Sequence, residues 1–382
     1  MKDWRPALRP SHCRKWLASA GAAAIASLAT TGTAAAATKT YVVSWFFMAT
    51  YSQDGDCPDG LNPSTEQNFR RILSEMGKSP AEIEGLVKAM PGSMYATIGM
   101  RGRKDGKPAS PYLYPESTPD PHIKTLKGKA GYGFDLDGRE GANDFVDPES
   151  GEHGVDNQLY RVLGCFVPDR AFPPDRPGYP ATMWDMPRDA MPAWLIEVSG
   201  IDDASKSGDV TVGIYRATSP ITRDTAGQPI ADMTFRVSDD PRSYNVVHGH
   251  LENGVVTTDK FTFHMLGDVF FQPEFLFKDA KLRLTLKPDG NADGILGGYQ
   301  DWKSIYWSYS LGGVFNEAVV SLDAPGIYYA LKRMADAYPD PKTGENTAIS
   351  TAYKVEAIPA FIIHPAKPPE KTASAQSSTG AP

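Results

Sequence analysis

The stretch "SYNVVHGHLENGVVTTDKFTFHML", residues 243–266, sets two β-branched and aromatic runs on either side of Asn253-Gly254. A two-residue loop between strands asks both of its residues for positive φ, which Asn and Gly tolerate best, so the pair reads as a hairpin turn. The same texture recurs upstream in "AWLIEVSGI" (193–201), "DVTVGIYRA" (209–217) and "ADMTFRVSD" (231–239), and downstream in "AKLRLTLKP" (280–288). Short period-two segments separated by turn residues predict a mainly β protein, with a β-sandwich or jelly-roll-like region over 191–365. "DAPGIYYALKRMADAYP" (323–339) adds a C-terminal amphipathic helix, capped by Asp323 and carrying Ile327, Leu331, Met334 and Tyr338 on one face.

Residues 38–190 read differently. "TKTYVVSWFFMATY" (38–51) is a buried strand by composition. Two short helices follow, each opened by a capping box: Ser64 with Gln67, and Ser79 with Glu82 around Pro80. From about residue 100 the text turns to Gly, Pro, Asp and Tyr, so a loop-rich N-terminal region is expected.

The chain ends carry their own signals. Lys2, Arg5, Arg9, Arg14 and Lys15 precede an Ala-rich run that closes on small residues, the layout of a cleaved export signal over 1–37. The tail from 366 to 382 has little to bury and reads as disordered. Removing 1–37 takes away five basic residues and one acidic one, moving the formal charge from −7 to −11. An acidic mature chain without a basic patch argues against nucleic acid as a partner, and its apolar runs are too short for a membrane span. Cys57 and Cys165 are then the remaining cysteines, and an even pair in an exported chain reads as a disulfide of the periplasm or cell exterior. The bridge would bring two acidic loops together.

Candidate chemistry falls into four groups. Residues 134–156 hold eight carboxylates, from Asp135 to Asp156, with few cations in between. Together with the loop around Cys57 they offer Asp54, Asp56, Asp135, Asp137, Asp144 and Asp156 as oxygen ligands for calcium, against the plainer reading of a solvated loop. Asp289, Asn291 and Asp293 alternate as in a calcium loop, although Gln300 stands where a bidentate Glu is wanted. The plainer reading there is a polar hairpin. His248 and His250 leave one face of a strand, with His264 across the hairpin, a spacing that suits zinc, iron or manganese and equally a surface role. Trp302, Tyr306, Trp307 and Tyr309 form either a stacking face for sugar rings, with Asp301 and Glu317 as an acid and base, or core filling.

No Walker loop, H-E-x-x-H, G-x-S-x-G or haem-attachment motif occurs. The expected role is an exported binding or accessory protein, calcium-stabilised and carbohydrate-directed. The alternatives are a secreted metal-dependent or glycan-cleaving enzyme, and a structural subunit contacting an envelope protein. The sequence does not choose between enzyme and binding protein.

Overall fold

The computed structural model describes residues 37–171, 176–179, 184, 188–201, 207–268 and 272–369. Residues 1–36 of the expected leader and 370–382 of the expected tail lie outside these. In chain order the strands are β1 Ala37–Met48, β2 Gly102–Lys104, β3 Lys107–Ala109, β4 Trp194–Ile201, β5 Gly208–Arg216, β6 Met233–Arg236, β7 Tyr244–Glu252, β8 Val255–Thr258, β9 Phe261–Asp268, β10 Gln272–Leu286, β11 Ala292–Asp301, β12 Ala337–Pro339 and β13 Asn346–Ile363. The described helices are α1 Thr65–Glu75, α2 Pro80–Lys88, α3 Gly92–Thr97, α4 Gln158–Leu163, α5 Trp302–Leu311, α6 Val314–Val319 and α7 Ala324–Met334.

The mainly β expectation holds, but a two-sheet sandwich is not confirmed. The sheet runs β1-β4-β5-β7-β8-β10-β11-β13, and β13 pairs back onto β1, so eight antiparallel strands close into a barrel. The closing strand explains the difference. The first half of β1 pairs with β4 (Val42 opposite Leu195) and its second half with β13 (Met48 opposite Tyr353), with a register shift between Val43 and Trp45. A strand covered on both faces reads as a continuous apolar run, as "YVVSWFF" does. Tyr41 and Val43 join the interior cluster, while Val42 joins an outer cluster with Leu195, Tyr215 and Phe235.

Side chains from four walls meet inside. Phe46 of β1 stacks on Tyr353 of β13 at 4.8 Å between centroids, and meets Phe275 of β10 edge-on at 5.4 Å. Trp194 of β4 stands 5.2 Å from Phe275. The barrel centre is therefore a packed aromatic core, as small barrels require. Asn253 and Gly254 both take positive φ and join β7 to β8, with Glu252 opposite Val255, as the hairpin reading expects. Both capping boxes form, and the Asp323 side chain accepts from the Gly326 N–H at the start of α7.

Outside the barrel lie the loops of 100–171. The disulfide between Cys57 and Cys165 ties them down, with Cα atoms 5.9 Å apart across a sequence separation of 108. Closing a loop of that length removes about 5 kcal/mol of chain entropy from the unfolded state. Among the described residues no helix is long and apolar enough to cross a membrane.

Just past the bridge, Asp169 is completely buried and neither carboxylate oxygen has a hydrogen-bond partner. Burial pushes its carboxyl up to about 8. The folded chain thus keeps a proton that an unfolded aspartate releases near pH 4, and the associated stability is present below that pH and lost as pH rises through 8. Asp169→Asn is expected to change denaturant stability little below about pH 4, to gain on wild type as pH rises from there to 8, and to be the more stable chain at pH 9.

Candidate functional site

The acidic stretch resolves into compensated and uncompensated carboxylates. Arg283, projecting from β10, reaches Asp147 and Glu152 at 2.9 Å each, and Asp147 is buried. Tyr132 donates its hydroxyl to Glu149 at 2.9 Å, and Glu140 faces His153 at 3.2 Å. Of the others, Asp137 meets the exposed Arg139 side chain at 3.5 Å, while Asp135, Asp144 and Asp156 make no ion pair among the described residues.

Three of these converge. One carboxylate oxygen each from Asp135, Asp137 and Asp156 lies within 4.8 Å of the others, the one such group of metal-ligating side chains among the described residues. Backbone geometry sets their positions: Asp156 accepts from the N–H groups of Leu136 (2.8 Å) and Asp137 (3.3 Å), Asp135 from Gly138 (2.6 Å), and Asp137 from Arg139 (2.8 Å). Asp137 and Asp156 also line an open basin of about 370 Å³, together with Asp144, Gln158, Tyr299 and Asp336. Arg333 reaches its rim already paired with Asp120. Burial, followed by the charges of Asp336, Asp137 and Asp144, pushes Asp156 up to about 7 against the lowering effect of the Leu136 N–H. Asp336 is raised to about 6, again by burial first, although Ser350 donates both its N–H (2.8 Å) and hydroxyl (2.6 Å) to it. The residue as a whole is exposed and lines the basin. Sequence reasoning missed Asp336, which only the fold brings to the acidic stretch, and Gln158, which stands two residues after Asp156 but carries no charge to mark it.

The other expected ligands lie apart from this triad. Asp56 sits by the disulfide, taking the Gln53 N–H at 2.6 Å and Arg170 at 3.8 Å, and Asp54 is exposed on the same turn. The bridge therefore does not join two acidic loops into one ligand set; Arg170 answers the Cys57 side. Asp144 accepts from Gly141 and contributes to the basin wall. Asp289 turns onto Asn291 (2.9 Å to its N–H) and Asp293 pairs with Lys287 (2.9 Å), in a hairpin between β10 and β11.

His248 and His250 share the exposed outer face of β7 as the spacing implied, and both approach Asp209, at 3.6 and 3.3 Å. His248 also meets Asp259 at 2.9 Å. His264 faces Glu274 at 3.5 Å instead, so each imidazole answers a carboxylate.

The aromatic segment divides. It forms α5, with Asp301 as N-cap accepting from Ser304 N–H at 2.8 Å. Trp302 is buried against Tyr328, and Tyr309 packs beside Tyr179 at the edge of the core. Tyr306 and Trp307 line a groove of about 400 Å³ with Tyr114, Glu116, Tyr328 and Lys303. Trp307 keeps 41% of its surface exposed and Tyr114 43%. Lys104 stands 3.7 Å over the Tyr114 ring, and Glu116 accepts from the Tyr328 hydroxyl at 2.8 Å. Glu317 is not at this groove: it is fully buried, gripped by both terminal nitrogens of Arg101 at 2.6 and 3.0 Å and by the Tyr112 hydroxyl at 2.9 Å.

Comparison of the chain with protein-family models, curated proteins and solved structures finds no match. Arg283→Met leaves Asp147 buried without its cation, and is expected to cost about 3 kcal/mol in urea unfolding. Lys287→Met, at the exposed pair, is expected to cost less than about 1 kcal/mol.

Proposed function

We propose that this chain is an exported binding or accessory protein of the periplasm or cell exterior, directed to carbohydrate through the groove between α5 and the 103–117 segment. The observation that carries the reading is the pairing of two exposed rings, Trp307 and Tyr114, with polar side chains around one concave surface. A pyranose presents C–H groups on its face and hydroxyls at its edge. Laid on an indole, the face loses contact with water while the edge meets Glu116, Ser117 and Lys303. Arg103, Lys104 and Lys303 outnumber the single carboxylate lining the groove, a local positive field on an acidic protein, which favours sugars bearing a carboxylate or sulfate. The disulfide fits an oxidising compartment.

A second reading has its own observation. Leu311 follows Trp307 by one turn of α5, and Phe315 and Val319 repeat that spacing on α6, all three at least half exposed. Such a stripe suits an envelope protein as partner better than a sugar. An array of neutral and acidic glycans separates the two. Under the carbohydrate reading the protein binds a subset enriched in acidic sugars, and Trp307→Ala weakens that binding at least tenfold while Phe315→Ser leaves it intact. A blank array, or unchanged binding by Trp307→Ala, rejects it.

A further inference from the structure

The basin carries more than a surplus of charge. Gln158 is 3% exposed, and its amide oxygen has no hydrogen-bond partner although its amide nitrogen donates to the Asn143 carbonyl at 3.2 Å. A buried acceptor left without a partner costs about 1 to 3 kcal/mol, so a donor or a cation at this oxygen is stabilising. Gln158 stands two residues after Asp156 and lines the same basin as Asp156 and Asp137. The residue is also anchored through its main chain: the Gln158 backbone N–H donates to the Ser350 hydroxyl at 2.9 Å, and that hydroxyl donates on to Asp336.

We infer that Asp135, Asp137, Asp156 and the amide oxygen of Gln158 hold one calcium ion. The geometry agrees with the ion. Two oxygens bound to one calcium at 2.3 to 2.6 Å are separated by no more than about 5 Å, and the three carboxylates meet that limit. The donor set is all oxygen, with neither His nor Cys in the basin lining, which selects a hard cation over zinc, copper or iron. The three carboxylates sit on irregular chain and Gln158 opens α4, a spacing that suits the variable coordination of calcium better than the strict octahedron of magnesium. Two cations stand nearby: Arg333 is taken by Asp120, and Arg139, 82% exposed, meets Asp137 at 3.5 Å in a solvent-screened pair that a bound ion would displace. Asp144 and Asp336 add charge to the wall without belonging to the triad.

This site uses none of the groove residues, so its failure leaves the carbohydrate reading standing. The test is calorimetric titration of calcium chloride into the chelator-treated, disulfide-intact chain, with magnesium chloride as a competitor and melting temperature as a second readout. One calcium per chain is expected, bound at least tenfold tighter than magnesium, with melting raised by several degrees. Asp137→Asn, at a partly exposed position, is expected to keep the fold by circular dichroism and to weaken calcium at least tenfold. Gln158→Leu should weaken it too, and Asp289→Asn in the distant hairpin should leave it unchanged. Absence of binding by the wild type, equal affinity for magnesium, wild-type affinity in Asp137→Asn, or loss of binding in Asp289→Asn overturns the assignment.

Discussion

The pairing of β1 with two neighbours at once is the constraint on which this structure rests. An antiparallel sheet left open exposes two rows of unpaired N–H and C=O groups, a standing invitation to aggregation. Here one strand gives its first half to β4 and its second half to β13, so neither edge remains in the barrel. The stagger this imposes carries Phe46 to the stacking distance of Tyr353 and lets four strands fill the centre with rings. It also fixes the outer wall. Ser350 of β13 and Tyr299 of β11 are backing residues of the carboxylate basin, and β11 runs directly into α5, which presents Trp307.

Charge compensation then decides which acidic residues are available for anything else. Arg283 comes from a strand more than a hundred residues away and neutralises the half of the acidic stretch that lies against the barrel. Arg170 does the same for Asp56 beside the disulfide, and Lys287 for Asp293. The triad of Asp135, Asp137 and Asp156 stands apart because its support comes mainly from backbone N–H groups, the exposed Arg139 beside Asp137 being its one side-chain cation among the described residues. Those donors hold carboxylates in place while leaving a shared centre between them.

Much of the local structure was legible in the sequence, since caps and turns are short-range chemistry. Ser64 with Gln67, Ser79 with Glu82, Asp323 and Asn253-Gly254 each do what their spacing implies. The closure of the sheet was not, because the partner of Met48 is Tyr353 and no local pattern encodes a pairing across three hundred residues. Nor was β13, whose "NTAISTAYKVEAIPAFII" mixes small, polar and apolar residues because it borders β1, β11, β6 and β12 along its length. The aromatic run at 302–309 looked like one surface and is a helix that buries one side, with Trp302 and Tyr306 inside and Trp307 left exposed. Three of the six acidic ligand candidates assemble; Asp336 joins them only through Ser350 in space, while Gln158 stood beside Asp156 in the sequence without a charge to single it out.

Hydrogen exchange on the native chain, resolved to single amides, tests the closed barrel most directly. The amides of β1 from Tyr41 to Met48 are expected to exchange with those of β11 and β13, in the slowest class and at the free energy of global unfolding. Exchange of β1 as fast as the 100–125 loops, with β4 and β13 fraying like open edges, would contradict the account.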